Sequence, residues 1–360
     1  MNNSKIGSKE AVCLVMILAV AHTILSTPSN LLTNTKSSIL LNLIFVGLII
    51  VGISILIVKL FKNFPGSDIL DISEYLGGKV FKKILGLLFI TYFIVSSSIL
   101  LREFCEAIKI VYYPMTNIVF VILLFVIAVA ITSKFEFTAT LKTTLIIMPL
   151  VFASIIFVFV SNIRNLSFSR MFPILGDGFF NTFILGIGNI YAFSGISILY
   201  FLPPLLNKPE EFKKISIKSS VIFIIYLILT VSILLFMYSF FMSKEEILPL
   251  YAAARYIEIG TFFVRLESIF LLIWMLIFAC YLSIVVKFAM LIFKKITNIK
   301  NTKVLIYPFA ILLLSIALIP NSYAAVKQYE TNIYPKIILG FNYIFCILLL
   351  IFANLKKKSR

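Results

Sequence analysis

The chain has 360 residues, 61% of them hydrophobic and only 13% charged, with a mean hydropathy of +1.09. Soluble domains are about 45–50% apolar and about 25% charged, so composition excludes a soluble protein and sets this chain among integral membrane proteins with little soluble mass. The net charge of +17 does not mark a nucleic-acid binder, because the lysines lie in short loops between apolar runs. Cys13, Cys105, Cys280 and Cys346 stand singly, without disulfide or zinc spacing, and one histidine is too few for a histidine metal site.

Ten apolar spans follow one another, near 10–32, 38–61, 82–109, 115–133, 138–161, 178–204, 217–242, 262–290, 303–321 and 335–355. The expected fold is therefore an all-α integral membrane protein of ten transmembrane helices in one membrane domain, 1–360. The first span resembles a signal peptide in having Lys5 and Lys9 before an apolar run, but the run continues to Leu32 and reads as an uncleaved helix. It is not a smooth helix. After Ala19 it reads VAHTILSTPSNLL, where Pro28 lacks an amide hydrogen and frees carbonyls of the turn before it. His22 reads as a packing or hydrogen-bonded residue before a proton carrier.

Between spans two and three, Pro65-Gly66 signals a turn, and Ser67 is placed to cap a short helix with Asp68 and Asp71 in its first turns. Ile69, Leu70, Ile72, Tyr75 and Leu76 give that helix an apolar stripe suited to the inner membrane surface. Span three ends LLREFCEAIKI, with Arg102 and Glu106 four apart on one face. Span eight opens VRLESIFLLIWML, with Arg265 and Glu267 two apart. Unpaired charges at that depth are costly, so Arg102 or Glu106 is expected to pair across to Glu267 or Arg265 in a structural or gating network. A second interfacial helix is expected from Glu245-Glu246 through Tyr251 to Ile257, and Lys356-Lys357-Lys358 anchors the last span at anionic headgroups.

Span six, GFFNTFILGIGNIYAFSGISILYFLPPLL, is the least regular. Gly186, Gly188 and Gly195 interrupt it, Asn189, Ser194 and Ser197 put polar groups at mid-depth, and Pro203-Pro204 ends it. Two readings stand: an unwound backbone that holds a solute, or small residues that let helices pack closely. Spans one and six each begin a set of five, and interrupted segments at corresponding positions of two halves point to a transporter binding site. The halves are about 10–161 and 178–355. Twenty-two of the 32 Lys and Arg fall in the terminal segments and alternate loops that share a side, which puts both termini in the cytoplasm and requires an even span count.

Four stretches, in order, carry a resemblance: REFCEAIKIVYYPMT, PILGDG at Pro173–Gly178, the AFSG…LP run of span six, and RLESIFLLIW. Together with span count and loop placement they resemble the permease-like B subunit of endospore nutrient germinant receptors, within the amino acid–polyamine–organocation transporter group. The resemblance implies a five-plus-five inverted repeat with helices one and six broken (LeuT-like), and nutrient sensing at the spore inner membrane beside A-type and C-type receptor subunits. It implies a small-molecule germinant, such as an amino acid, held by Thr23, Ser26, Thr27 and Pro28 of span one and by Gly186, Gly188, Asn189, Ser194 and Gly195 of span six. Relatives often carry a glutamate just after the AFSG-like run. This chain has Ile196 and Ser197 there, which removes the carboxylate that would hold an ammonium group or couple a cation.

No cofactor is implied. The chain has no Walker A loop, nucleophile elbow or HExxH motif, so enzymatic catalysis has no support in the sequence. Two other functions compete with the sensor: a secondary transporter of amino acids or similar solutes, and a ligand-gated ion channel whose water path runs past the charges of spans three and eight.

Overall fold

A computed structural model describes residues 5–238, 246, 248–257 and 266–359. Its elements are helices α1 (Ser8–Thr23), α2 (Thr27–Thr35), α3 (Ile39–Phe61), α4 (Ile69–Tyr112), α5 (Ile118–Thr132) and α6 (Phe137–Ser161). Then come α7 (Phe180–Phe201), α8 (Phe212–Met237), α9 (Pro249–Arg255), α10 (Leu266–Thr297), α11 (Ile306–Ala317) and α12 (Tyr323–Lys358). Among the described residues seven helices are long and apolar enough to cross a membrane, and the bent pair α1–α2 makes an eighth. The expected spans four and nine are the shorter apolar helices α5 and α11.

The packing follows from which faces are apolar. Residues Leu14 to Thr23 of α1 are buried without interruption, because α6, α7, α8 and α10 enclose the helix on all sides. A helix apolar all round belongs at the centre of a bundle. The outer helices instead turn Leu48, Leu87, Phe120 and Leu124 outward, each well exposed, which lipid accommodates and water does not. α3 packs chiefly on α8, α4 on α10 and α11, and α5 on α11.

The connections sort onto two sides, as alternating crossings require. On one side Ile6 N–H donates to Leu205 O (2.8 Å) and Asn207 N–H to Ile6 O (3.0 Å), and Ser8 bonds Glu211. There too Lys295 meets Asp68 and Asp71, and Lys356 donates to the carbonyls of Tyr75 and Leu76. On the other, Lys36 pairs with Asp177 (2.5 Å), Ser167 N–H donates to Phe236 O (2.9 Å), and the hydroxyls of Tyr112 and Tyr251 lie 3.0 Å apart.

The predicted surface helix after Pro65-Gly66 is present, with two corrections. Asp68, not Ser67, is the cap: its Oδ1 accepts from Leu70 N–H (2.9 Å) and Asp71 N–H (3.0 Å), while Asp71 accepts from Asp68 N–H (3.1 Å). The helix also runs on into span three through Gly78, whose φ of 74° makes the kink and is a conformation L side chains avoid. The second expected surface helix is the short α9. Glu245 lies outside the described residues.

Candidate solute site

The first span is broken where its polar residues accumulate. α1 ends at Thr23, α2 starts at Thr27, and the two are bent by 66°. Pro28 stands in the first turn of α2, where a missing N–H costs nothing and the ring fixes helical φ. The break thus falls before the proline, and it exposes the carbonyl end of one helix beside the amide end of the next.

Thr23, Ser26 and Asn30 at the break have traceable partners. Thr23 Oγ1 lies 2.7 Å from Val20 O and 3.4 Å from Tyr226 Oη. Ser26 N–H donates to Glu103 Oε1 of α4 at 3.2 Å, and Asn30 Nδ2 donates to Ser26 Oγ at 3.4 Å. Thr27 is buried. One turn earlier, His22 Nε2 lies 3.2 Å from Tyr334 Oη and 3.4 Å from Tyr281 Oη, with its ring stacked on Tyr334 at 5.1 Å. That is the packing and hydrogen-bonding role expected of it.

α7 is irregular rather than cleanly broken. It opens with a π turn, Phe180–Ile184, and continues as a tight 3₁₀ stretch, Leu185–Phe201, in which Phe193 leaves helical φ/ψ. Runs of 3₁₀ helix longer than three or four residues are uncommon and mark strain or function. Gly195 touches α1 so closely that a Cβ would sit 2.6 Å from Ala19 N and 2.9 Å from its Cα. Beside that contact is a cavity of about 10 Å³, whose wall includes His22, Tyr92, Ser96, Ser194, Ser197 and Tyr281. Such a volume admits about one water. A larger apolar recess of about 200 Å³ between α4 and α12 shares Tyr92 and Ser96 with it.

The other span-six residues lie elsewhere. Asn42 of α3 donates to Thr182 O (2.8 Å) and Gly186 O (3.0 Å), and Asn189 Nδ2 donates to Asn42 Oδ1 (2.8 Å). Gly186 leaves room for that amide, since a Cβ there would sit 2.2 Å from Asn42 Nδ2. Gly186 and Asn189 therefore fasten α7 to α3. Gly188 was expected to line the site and does not. It is exposed, with nothing within 4 Å of its Cβ position, because it lies on the outward side of α7.

Among the described residues the charges of span three pair with each other. Arg102 pairs within its own helix, Nε and Nη2 lying 2.9 and 2.8 Å from Glu106 Oε1, and its Nη1 donates to Ala317 O of α11 at 3.3 Å. Glu267 is buried at the start of α10, and among the described residues no ion pair joins it to Arg102. Arg265 lies outside the described residues. An i,i+4 neighbour on the same helix reaches Arg102 at less conformational cost than a partner on another helix.

A broken polar first span thus packs on an irregular sixth inside an apolar bundle, with a small polar cavity at their contact. The family model described as Spore germination protein matches residues 5–325. The chain belongs to that family. No curated protein sequence matches it.

In this spore germination family member Glu103 also stands at the break, and a second glutamate, Glu330, lies within its electrostatic reach. Glu103 and Glu330 are both almost wholly buried, at 1% and 2% exposure. Glu103 has a signal, lying next to Arg102 in LLREFCE. Glu330 has less, because the apolar run of span ten starts near 335, whereas α12 begins at Tyr323 and carries Glu330 inward on a π turn, Tyr329–Ile333. π turns recur at functional sites.

Proposed function

We propose that this spore germination protein is the permease-like, solute-sensing subunit of a nutrient germinant receptor in the spore inner membrane, with A-type and C-type subunits as partners. The observation that carries the reading is the 66° break at residues 24–26, packed against the irregular α7 with a polar cavity at the contact. A solute such as an amino acid would bind there, on Thr23, Ser26, Thr27, Ser194 and Gly195. Pro28 would set the break, while Gly186 and Asn189 would hold α7 in place. A five-plus-five inverted repeat with ten spans is supported by the pairing of first-half with second-half helices: α1 on α7, α3 on α8, α4 on α10 and α5 on α11.

The cavity is too small for an amino acid as it stands, so binding requires the helices around it to move apart. A ligand that prefers the opened arrangement shifts the population towards it, and that shift is the signal passed to the partner subunits. Both termini would face the cytoplasm.

Spores lacking this gene, exposed to single amino acids, sugars and salts, test the reading. Loss of one response, restored by complementation, is the expected result. Normal germination with altered solute uptake by growing cells would make the protein a plain secondary transporter instead.

A further inference from the structure

Glu103 and Glu330 reach one region from two helices, α4 and α12, and each lies within electrostatic reach of the other. Tyrosines surround this region: Tyr334, four residues after Glu330, stacks on His22 of α1 at 5.1 Å and has Tyr191 of α7 and Tyr329 each 6.4 Å from its ring, and Tyr191 lies within electrostatic reach of both glutamates. One basic group, the half-buried Lys327, acts on Glu103. Glu103 receives the Ser26 N–H, which places a carboxylate at the positive end of α2. Glu330 Oε1, by contrast, is buried with no hydrogen-bond partner, and so is the hydroxyl of Tyr191 on α7.

As carboxylates, Glu103 and Glu330 outnumber the one ammonium that acts on them, and so deep in the bundle they need a proton or a cation beside them. Leaving such a charge uncompensated in a low-dielectric interior is costly, and partnered burial is the rule for native proteins. The unsatisfied atoms are one carboxyl oxygen and one phenol oxygen, hard oxygen ligands suited to a singly charged cation. Among the described residues no group of three His, Cys, Asp or Glu offers a metal site, which argues against a multivalent ion.

We propose that Glu103 and Glu330, with Tyr191, bind a monovalent cationic centre at the break of span one, either the ammonium group of the sensed solute or an alkali cation bound beside it. The inference rests on the solute-sensing reading above. It also returns to the site a negative charge that Ile196 and Ser197 do not supply.

The test uses the full-length protein in detergent or nanodiscs at constant ionic strength, with choline as the replacement cation. Three additions are compared by thermal unfolding: Na⁺ or K⁺ alone, alanine or methylamine, and propionate, which lacks the amine. The expected result is a saturable rise in Tm of roughly 5 °C with an alkali cation or with an amine, and none with propionate. Glu330→Gln should abolish that rise while keeping a cooperative transition, since it changes one oxygen that has no partner. Stabilisation by Na⁺ or K⁺ alone assigns the site to an ion, and stabilisation by amines alone assigns it to the solute. The proposal is overturned if no cation or amine stabilises the wild type, or if Glu330→Gln and Glu103→Gln respond like it. In spores, failure of the sensor reading shows as normal germination of the deletion strain. Failure of the cation site alone shows as a dependent response that Glu330→Gln leaves intact.

Discussion

The backbone N–H of Ser26 donates to Glu103 Oε1 across 3.2 Å, so a carboxylate from span three closes the opened end of span one. An amide exposed by a helix break inside lipid has no water to turn to, and an unmet bond there is expensive. Glu103→Ala should therefore destabilise the protein by about 1–3 kcal/mol, the cost of leaving a buried amide unpaired. Glu103→Gln keeps an acceptor and should cost less. Thermal unfolding of the two purified variants compares them. Equal losses would show that Glu103 acts through its charge and not through Ser26.

Gly195 and Gly188 are seven residues apart and are predicted to behave oppositely. A Cβ at 195 meets the backbone of Ala19 at 2.6–2.9 Å, so Gly195→Ala forces α1 and α7 apart, at roughly 1–3 kcal/mol, and should abolish the germinant response. A Cβ at 188 meets nothing within 4 Å, so Gly188→Ala should leave stability and response near wild type. Spore germination assays on the two strains, with protein level measured by immunoblot, decide the point. A silent Gly195→Ala would remove the α1–α7 contact from the mechanism.

Much of this is legible in the sequence, and the limits have physical causes. The break in span one follows from Thr23, Ser26, Thr27 and Pro28, because a polar run ending in proline cannot continue a helix through lipid. The irregularity of span six follows from its glycines. Which way each glycine faces does not, since Gly186, Gly188 and Gly195 look alike until α3 and α1 are packed on two of them. The same holds for charge. The spacing of Arg102 and Glu106 foretells their shared helical face, but only the tertiary arrangement shows that Glu103 turns inward at the break. Glu330 was hidden by its polar neighbours, Lys327, Gln328 and Thr331, which disguise the start of a long helix.

Asn42 is predicted to matter although it touches no part of the cavity. It accepts from Asn189 and donates to the carbonyls of Thr182 and Gly186, so it satisfies groups that the irregular winding of α7 leaves open. Asn42→Leu is close in volume but removes an acceptor of the Asn189 amide and a donor to two carbonyls. A loss of about 2–4 kcal/mol is expected, from more than one unsatisfied group. Asn42→Asp keeps the acceptor for Asn189 and loses the donor. A thermal shift for Asn42→Leu no larger than that of a surface control would show that water replaces the amide.

The last prediction concerns the opposite end of the bundle. Lys295 Nζ at the end of α10 lies 2.6 Å from both Asp68 Oδ2 and Asp71 Oδ2, and Lys82 pairs with Glu74 at 2.6 Å. The first pair of contacts ties the surface helix before Gly78 to span eight, where a movement of α10 would have to break it. Lys295 and Asp71 are each about a third exposed, so salt screens that contact to the order of 1 kcal/mol, whereas Asp68 is nearly buried and its contact is screened less. Lys295→Met should thus lower stability, more at low salt than at high salt. If the tie restrains the resting arrangement, the variant should also respond to less germinant, because the opened arrangement is then reached at lower cost. Dose–response curves of spore germination at two ionic strengths read this directly. An unchanged midpoint at both would make the cluster an anchor for the surface helix and nothing more.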